Sequence, residues 1–237
     1  LTSSNYDITY VNGSLTVGKA SATVTGNSST LTYDGTGKSV SGFTVTGLVN
    51  GETSSVLTGV SASGASGTNA GSYANTVSGT DSNYNLTLVD GALTINKAAL
   101  TVTAANDSKT YDGLAYSGGN GVTYSGFVNS QTSSVLGGTL AYGGTSQSAV
   151  NAGTYTIVPS GLTSSNYDIT YVNGSLTVSK AALTVTTVND GKFVTLLDSA
   201  GYAGVTFNGF VNGESSSVLG GSLSIVRTNA SQNSAAV

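Results

Sequence analysis

The stretch Asn106–Gly113, NDSKTYDG, is where residue types and spacing come nearest to a reactive site. Asp107 and Asp112 put two carboxylates in one short segment, and the chemistry to weigh is divalent-cation binding. A calcium loop of the EF-hand type needs acidic or amide ligands at alternate positions and a bidentate Glu. This stretch has no such Glu, and Lys109 stands between the acids. A turn is the better account, with Asp bonding nearby backbone and Gly adopting positive φ. Tyr33-Asp34-Gly35 and Tyr111-Asp112-Gly113 are therefore read as structural turns, and no metal or cofactor is expected.

Other chemistry fares no better. The chain contains no His and no Cys, which removes the commonest general base, thiolate nucleophile and sulfur ligand. The acids are scattered at turns, one per motif, so no paired-carboxylate site is expected and the chain is read as non-enzymatic. Lys19, Lys97 and Lys180 recur at equivalent places. A covalent Lys–Asn or Lys–Asp crosslink is one reading, but no acid stands at a fixed offset in every copy. A solvated Lys that blunts a strand edge is preferred. Tyr6, Tyr84 and Tyr167, with Tyr10 and Tyr171, could stack on sugars. Alternation puts Tyr167, Ile169 and Tyr171 on one strand face, so a core role with the hydroxyl at the rim is preferred. Thr-x-Thr pairs such as Thr101/Thr103 fit the exposed face of any Thr-rich strand, and ice binding ranks lower still.

The elements that carry these residues repeat. LTSSNYDITYVNGSLTV occurs at Leu1–Val17 and again at Leu162–Val178. TYDG stands at Thr32–Gly35 and Thr110–Gly113, and NAGSY at Asn69–Tyr73 matches NAGTY at Asn151–Tyr155. GLVNGETSSVL, GFVNSQTSSVL and GFVNGESSSVL begin at Gly47, Gly126 and Gly209. Tyr6, Tyr84 and Tyr167 stand 78 and 83 residues apart, so the unit is about eighty residues. The expected division is 1–19 as the closing hairpin of one repeat, 20–97 and 98–180 as complete repeats, and 181–237 as the front of another. That last copy reads KFVTLLDSAGY at Lys192–Tyr202 and lacks the YDG motif.

Within a repeat the hydrophobic period is two. ALTVTA at Ala99–Ala104 alternates Leu100, Val102 and Ala104 with threonines, as a half-buried strand does. Asn12-Gly13, Asp90-Gly91 and Asn173-Gly174 carry the strongest short hairpin signal. GETSSVL is the best candidate for a short helical turn with a Ser or Thr cap. Composition agrees with an all-β chain: 38% hydrophobic, 8% charged, 33 Gly and one Pro. Seven basic residues and a net charge of −4 argue against nucleic-acid partners, and no apolar run is long enough for a membrane helix. The junctions Asn96–Lys97–Ala98 and Ser179–Lys180–Ala181 leave almost no linker, which predicts a fixed relation between neighbours.

The TYDG motif, the Gly-rich strands and the SNY…NG…LTV…KA ending resemble the YDG/MBG-type repeats of bacterial surface exoproteins, including filamentous-haemagglutinin-like adhesins. The resemblance implies tandem β-sandwich-like or β-grasp-like modules of five to seven strands, stacked as a rod. It implies an extracellular or cell-surface location and a role as stalk or fibre shaft. Neighbouring repeats are the expected partners, with homotypic fibre contacts or host and matrix glycans beyond them. A glycan- or surface-binding module is the alternative.

Overall fold

The computed structural model describes residues 1–191 and 203–226; the divergent segment Lys192–Tyr202 lies outside them. The chain divides into two compact units. The first is Leu1–Ala99 with Gly126–Val135 and Ser164–Asp168; the second is Leu100–Ser125, Leu136–Thr163 and Ile169–Val237. The first unit thus holds one repeat together with two short pieces of the next.

The first repeat contributes β1 (Ala20–Gly26), β2 (Ser29–Thr32), β3 (Lys38–Val40), β4 (Phe43–Thr46), β5 (Val60–Ala62), β6 (Ala65–Gly67), β7 (Gly71–Asn75), β8 (Val77–Gly79), β9 (Tyr84–Val89) and β10 (Gly91–Asn96). These ten short strands exceed the five to seven expected, a number that the next repeat keeps with seven. Two three-stranded sheets carry the frame, β4-β1-β9 and β2-β10-β7, with the small pairs β3-β6 and β5-β8 beside them. Along β1, Ala22 and Val24 point inward and pack with Leu57, Val77 and Tyr84, while Phe43, Val45 and Leu86 close the edges of this core. Each fully buried aliphatic side chain of this kind contributes roughly 1.5–3 kcal/mol.

The next repeat follows the same order: β11 (Ala98–Ala104), β12 (Asp107–Thr110), β13 (Val122–Ser125), β14 (Gly137–Gly143), β15 (Gly153–Thr163), β16 (Tyr167–Val172) and β17 (Gly174–Ser179). Its sheets run β13-β11-β16 and β12-β17-β15-β14. Ile157, Leu176, Val178, Ala104 and Ala149 form a core flanked by Tyr111, Tyr116, Tyr142 and Tyr155. The last strands, β18 (Thr184–Thr187) and β19 (Val205–Asn208), pair only with each other among the described residues.

The hairpins expected at Asp90-Gly91 and Asn173-Gly174 are not formed. β9 and β10 lie in different sheets, as do β16 and β17. The chain turns a corner at the glycine and passes from one sheet to the other, as strands do where sheets cross. β1 and β2 turn the same corner alongside. A Cβ on Gly91 would collide with the carbonyls of Gly26 and Asn27, and one on Gly174 would lie 2.7 Å from the Ala105 carbonyl. Close backbone approach, not a tight turn, is what requires these glycines. Asp90 assists by accepting the Val77 N–H at 2.8 Å. Asn12 and Gly13, the third instance of the motif, are exposed and belong to no strand.

The result is a parallel pairing of early with late strands. β1 pairs with β9 from Ala20↔Tyr84 to Thr25↔Val89, and β2 pairs with β10 from Ser29↔Leu93 to Thr32↔Asn96. The next repeat reproduces the second pairing, Asp107↔Leu176 to Thr110↔Ser179. GETSSVL forms a short 3-10 turn in each copy, at Ser54–Val56, Ser133–Val135 and Ser216–Val218. At Thr53 and Ser215 no side-chain cap bond reaches the backbone, and Thr53 Oγ1 instead meets Ser55 Oγ at 2.7 Å, whereas Thr132 Oγ1 accepts the Ser134 N–H at 3.5 Å.

Asn75 is the buried polar residue on which the corner depends. Its Oδ1 accepts from Gly64 N at 2.9 Å, and its Nδ2 donates to the carbonyls of Asn27 and Gly42 at 3.0 Å each. The matching position in the next repeat is Ile157, also buried. Asn75→Ala leaves three backbone groups without their partner and is expected to destabilise the first repeat by about 2–3 kcal/mol, measured by chemical denaturation. A loss below about 0.5 kcal/mol would contradict this role.

Candidate functional site

The Val-Asn-Gly/Ser-Glu/Gln segment builds the site. Asn50 and Gly51 have φ of 56° and 73°, Asn129 and Ser130 of 50° and 57°, and Asn212 and Gly213 of 50° and 72°. Two successive left-handed residues make a type I′ turn, closed by N–H to carbonyl bonds Glu52→Val49, Gln131→Val128 and Glu214→Val211 at 3.0–3.1 Å. Asn-Gly therefore does mark a tight turn in this chain, but at these positions and not at the sheet corners.

In the first unit this turn sits on the Tyr-Asp-Gly motif of the preceding repeat. Asn129 Nδ2 donates to the Gly35 carbonyl at 3.1 Å. Gln131 Nε2 donates to the Tyr33 hydroxyl at 2.7 Å, while its Oε1 accepts from the Tyr167 hydroxyl at 2.6 Å. One amide is thus held between two tyrosines from different repeats. Tyr167 O–H also accepts the Val128 N–H at 3.0 Å. Its ring meets Tyr33 and Phe127 edge-on, with centroids at 5.5 and 5.4 Å; such pairs contribute about 0.5–1.5 kcal/mol each beyond burial. Asn166, beside Tyr167, accepts from Ala70 N at 2.9 Å and donates to Asn69 Oδ1 at 3.0 Å, which gives the NAG motif its partner.

The second unit repeats the arrangement. Asn212 Nδ2 donates to the Gly113 carbonyl at 3.0 Å, and the Tyr111 hydroxyl donates to Glu214. Glu52 accepts from Tyr84 in the same way within its own repeat, and Val49 N–H donates to that hydroxyl at 3.1 Å. The side chain after the turn is therefore the hydrogen-bond partner of a tyrosine of its own SNY motif at 52 and 131, and of one from the YDG motif before it at 131 and 214. A carboxylate here disfavours phenolate, so the hydrogen bonds that Tyr84 and Tyr111 donate to Glu52 and Glu214 hold both hydroxyls above the ordinary phenol pKa.

The YDG residues divide the work. Tyr33 is buried. Asp34 shapes the turn by accepting from Thr36 N at 2.9 Å and Thr36 Oγ1 at 2.7 Å, and it pairs with Lys38. Asp112 accepts from Leu114 N at 2.9 Å and pairs with Lys109 at 2.7 Å. The lysine lies on opposite sides of the motif in the two repeats yet reaches the same carboxylate. Lys38, then Thr36, lowers the Asp34 pKa to about 2, and Lys109 lowers that of Asp112. Gly35 and Gly113 have φ of 77° and 70°. A Cβ on either would lie 2.7 or 2.6 Å from the Cβ of Asn129 or Asn212. The turn expected for YDG is present, and it is also a landing place for the following repeat.

The repeat units have a family. A model of the MBG domain (YGX type) matches residues 22–94 and 100–177. The chain belongs to the MBG domain family. No curated protein and no solved structure matches it. Tandem MBG domains are typical of bacterial surface proteins, and no helix among the described residues is long and apolar enough to cross a membrane.

Two junction lysines of these MBG repeats bond to the backbone. Lys19 Nζ donates to the Asp81 carbonyl at 2.8 Å and Lys97 Nζ to the Ser164 carbonyl at 2.9 Å. The next residue makes the same crossing, Ala20 N to Asn83 O and Ala98 N to Asn166 O at 3.0 Å. Lys180 lines a hollow with Tyr111 and Glu214. Of the tyrosines assigned to the core, Tyr84 and Tyr167 are buried and Tyr6 is exposed. Tyr10 is exposed too, whereas Tyr124 is half-buried and the Tyr171 hydroxyl is bonded to Leu162 backbone at 2.8 and 3.1 Å. Among the described residues no group of three acidic side chains could hold a metal; Asp107 accepts instead from Tyr116 at 2.8 Å.

Three outcomes follow from this geometry. Gly35→Ala is expected to displace Asn129, costing about 1–2 kcal/mol at a left-handed position, with faster amide exchange at residues 128–131 and unchanged protection in β1 and β9. Equal protection at 128–131 would contradict the landing role. Asp34, depressed by Lys38, contributes stability that is full above its unfolded value near 4 and lost as pH falls through about 2. Carboxyl titration by NMR should find Lys38→Met returning Asp34 toward 3.8. Tyr116, raised by burial and then by Asp107 to about 12, contributes stability full below about pH 10 and lost between there and about 12. Tyr116→Phe should remove a step near pH 12 from a tyrosinate absorbance titration.

Proposed function

We propose that this chain is a non-enzymatic, load-bearing stretch of the shaft of an extracellular bacterial adhesin or surface filament. The parallel pairing of first with last strands is the observation that carries this reading. Tension drawn from the two chain ends pulls β1 backward and β9 forward along a shared axis. All the hydrogen bonds of such a pair are loaded together and must yield together. An antiparallel hairpin loaded at its open end would lose them one at a time. β2 with β10 and β12 with β17 have the same sense, and the Tyr-Gln-Tyr contact ties a following repeat to the one before.

Single-molecule stretching tests the proposal, since the absence of cysteine allows attachment points to be chosen freely. Ser21 and Asn85 are exposed cross-strand neighbours on β1 and β9. Pulling the chain from its ends should require several-fold more force than pulling through cysteines placed at Ser21 and Asn85, where the pair unzips. Equal forces in the two geometries would contradict a load-bearing role.

A further inference from the structure

Ser130 is a residue that its own turn disfavours. It has φ of 57° directly after Asn129, also left-handed at 50°, and a side chain in that region costs free energy that glycine does not. The matching residue in the second unit, Gly213, has φ of 72°. A Cβ on Gly213 would meet nothing within 4 Å, so packing does not choose between the two residues. Reactivity does distinguish them. The main-chain nitrogen that follows an asparagine can attack the side-chain amide, and a Cβ on the following residue crowds that nitrogen. Asn212-Gly213 is open to the attack, whereas Asn129-Ser130 is hindered. Both pairs are exposed to water.

Docking holds the reactive amide still. Asn212 Nδ2 donates to the Gly113 carbonyl at 3.0 Å. Gly113 packs so closely that an added Cβ would lie 2.6 Å from Asn212 Cβ and 2.9 Å from Nδ2. The turn is closed by Glu214 N–H on the Val211 carbonyl at 3.0 Å, and Glu214 accepts from Tyr111. Attack requires Asn212 Cγ to swing onto Gly213 N, which gives up the bond to Gly113. We infer that Asn212-Gly213 is a site of spontaneous deamidation gated by this contact. The amide persists while the turn sits on Gly113, reacts when the turn lifts away, and then cannot dock again.

The step needs only water. Gly213 N forms a bond to Asn212 Cγ, the Cγ–Nδ2 bond breaks, and the Gly213 amide proton leaves with that nitrogen as ammonia. Water then opens the five-membered imide, and nothing is oxidised or reduced. Cleavage at Cγ gives aspartate; cleavage at the main-chain carbonyl gives isoaspartate, whose backbone runs through Cβ and gains a carbon. Either product puts a carboxylate where an N–H donor faced the Gly113 carbonyl, on a turn that already carries Glu214. Isoaspartate also lengthens a turn whose span is fixed by two left-handed residues and one closing bond. In the first unit Asn129 keeps its donor to the Gly35 carbonyl at 3.1 Å, and the strained Ser130 makes that contact durable.

Peptide mapping by mass spectrometry tests this on the whole chain, incubated at mildly alkaline pH both folded and in urea. Asn212 should convert several-fold more slowly in the folded chain, because reaction there waits on local opening. Gly113→Ala, which crowds Asn212, should bring the folded rate toward the rate in urea. In urea Asn129 should convert several-fold more slowly than Asn212, and Ser130→Gly should abolish that difference. Asn212→Asp reproduces one product without the reaction, and should speed amide exchange at residues 211–214 while β11 and β13 stay protected. Equal conversion of Asn212 in the folded chain, in Gly113→Ala and in urea would overturn the gating. Equal conversion of Asn129 and Asn212 in urea, or unchanged exchange in Asn212→Asp, would overturn the inference as well.

Discussion

The arrangement rests on a side-chain amide held between two phenol hydroxyls. Gln131 takes a hydrogen bond from Tyr167 and gives one to Tyr33, so a residue of one repeat completes a buried tyrosine of the repeat before it. Net hydrogen bonds of this kind contribute only about 0.5–1.5 kcal/mol, but leaving either tyrosine without its partner costs the desolvation of a buried hydroxyl. The contact is therefore selective as well as cohesive. Gly35 must lack a Cβ, Asn129 must adopt a left-handed turn, and the side chain at 131 must reach both rings. Glu214 meets Tyr111 under the same constraints, which explains why these motifs recur although they hold no reactive group.

Around that contact, sheet topology decides how force and folding are distributed. Early strands lie parallel to late ones, so each repeat is closed by its own two ends and completed by its neighbour's turn. Long-range pairing of this kind is slow to form because loop closure precedes the contacts that offset it. Similar neighbouring repeats make mispairing a hazard during that search. The alternation of Glu and Gln at positions 52, 131 and 214, and of Asn75 with Ile157, makes the copies locally distinct while preserving the frame.

Much of this was legible in the residues. Period-two alternation over Ala99–Ala104 marked β11, the eighty-residue spacing marked the repeats, and Asp-Gly after a tyrosine marked a turn. The corner at Gly91 and Gly174 was misread because Asn-Gly and Asp-Gly serve two purposes. They supply left-handed turns, as at Asn50-Gly51, and they also permit backbones to cross at close range. Period and turn chemistry do not distinguish these cases; only pairing partners far along the chain do. The same limit hid the docking role of Asn129 and Gln131. Their recurrence as VNGE, VNSQ and VNGE was visible, but their partners Gly35 and Tyr33 lie 94 and 98 residues earlier. Lys19 and Lys97 are exposed, and their bonds to main-chain carbonyls leave no trace in side-chain patterning.

A double-mutant cycle between Tyr33 and Gln131 addresses the central claim most directly. Stability would be measured for the parent, Tyr33→Phe, Gln131→Met and the double variant. If one repeat is completed by the next through this bond, the cycle should return a favourable coupling of about 0.5–1.5 kcal/mol. Strict additivity, with a coupling within about 0.3 kcal/mol of zero, would contradict the account.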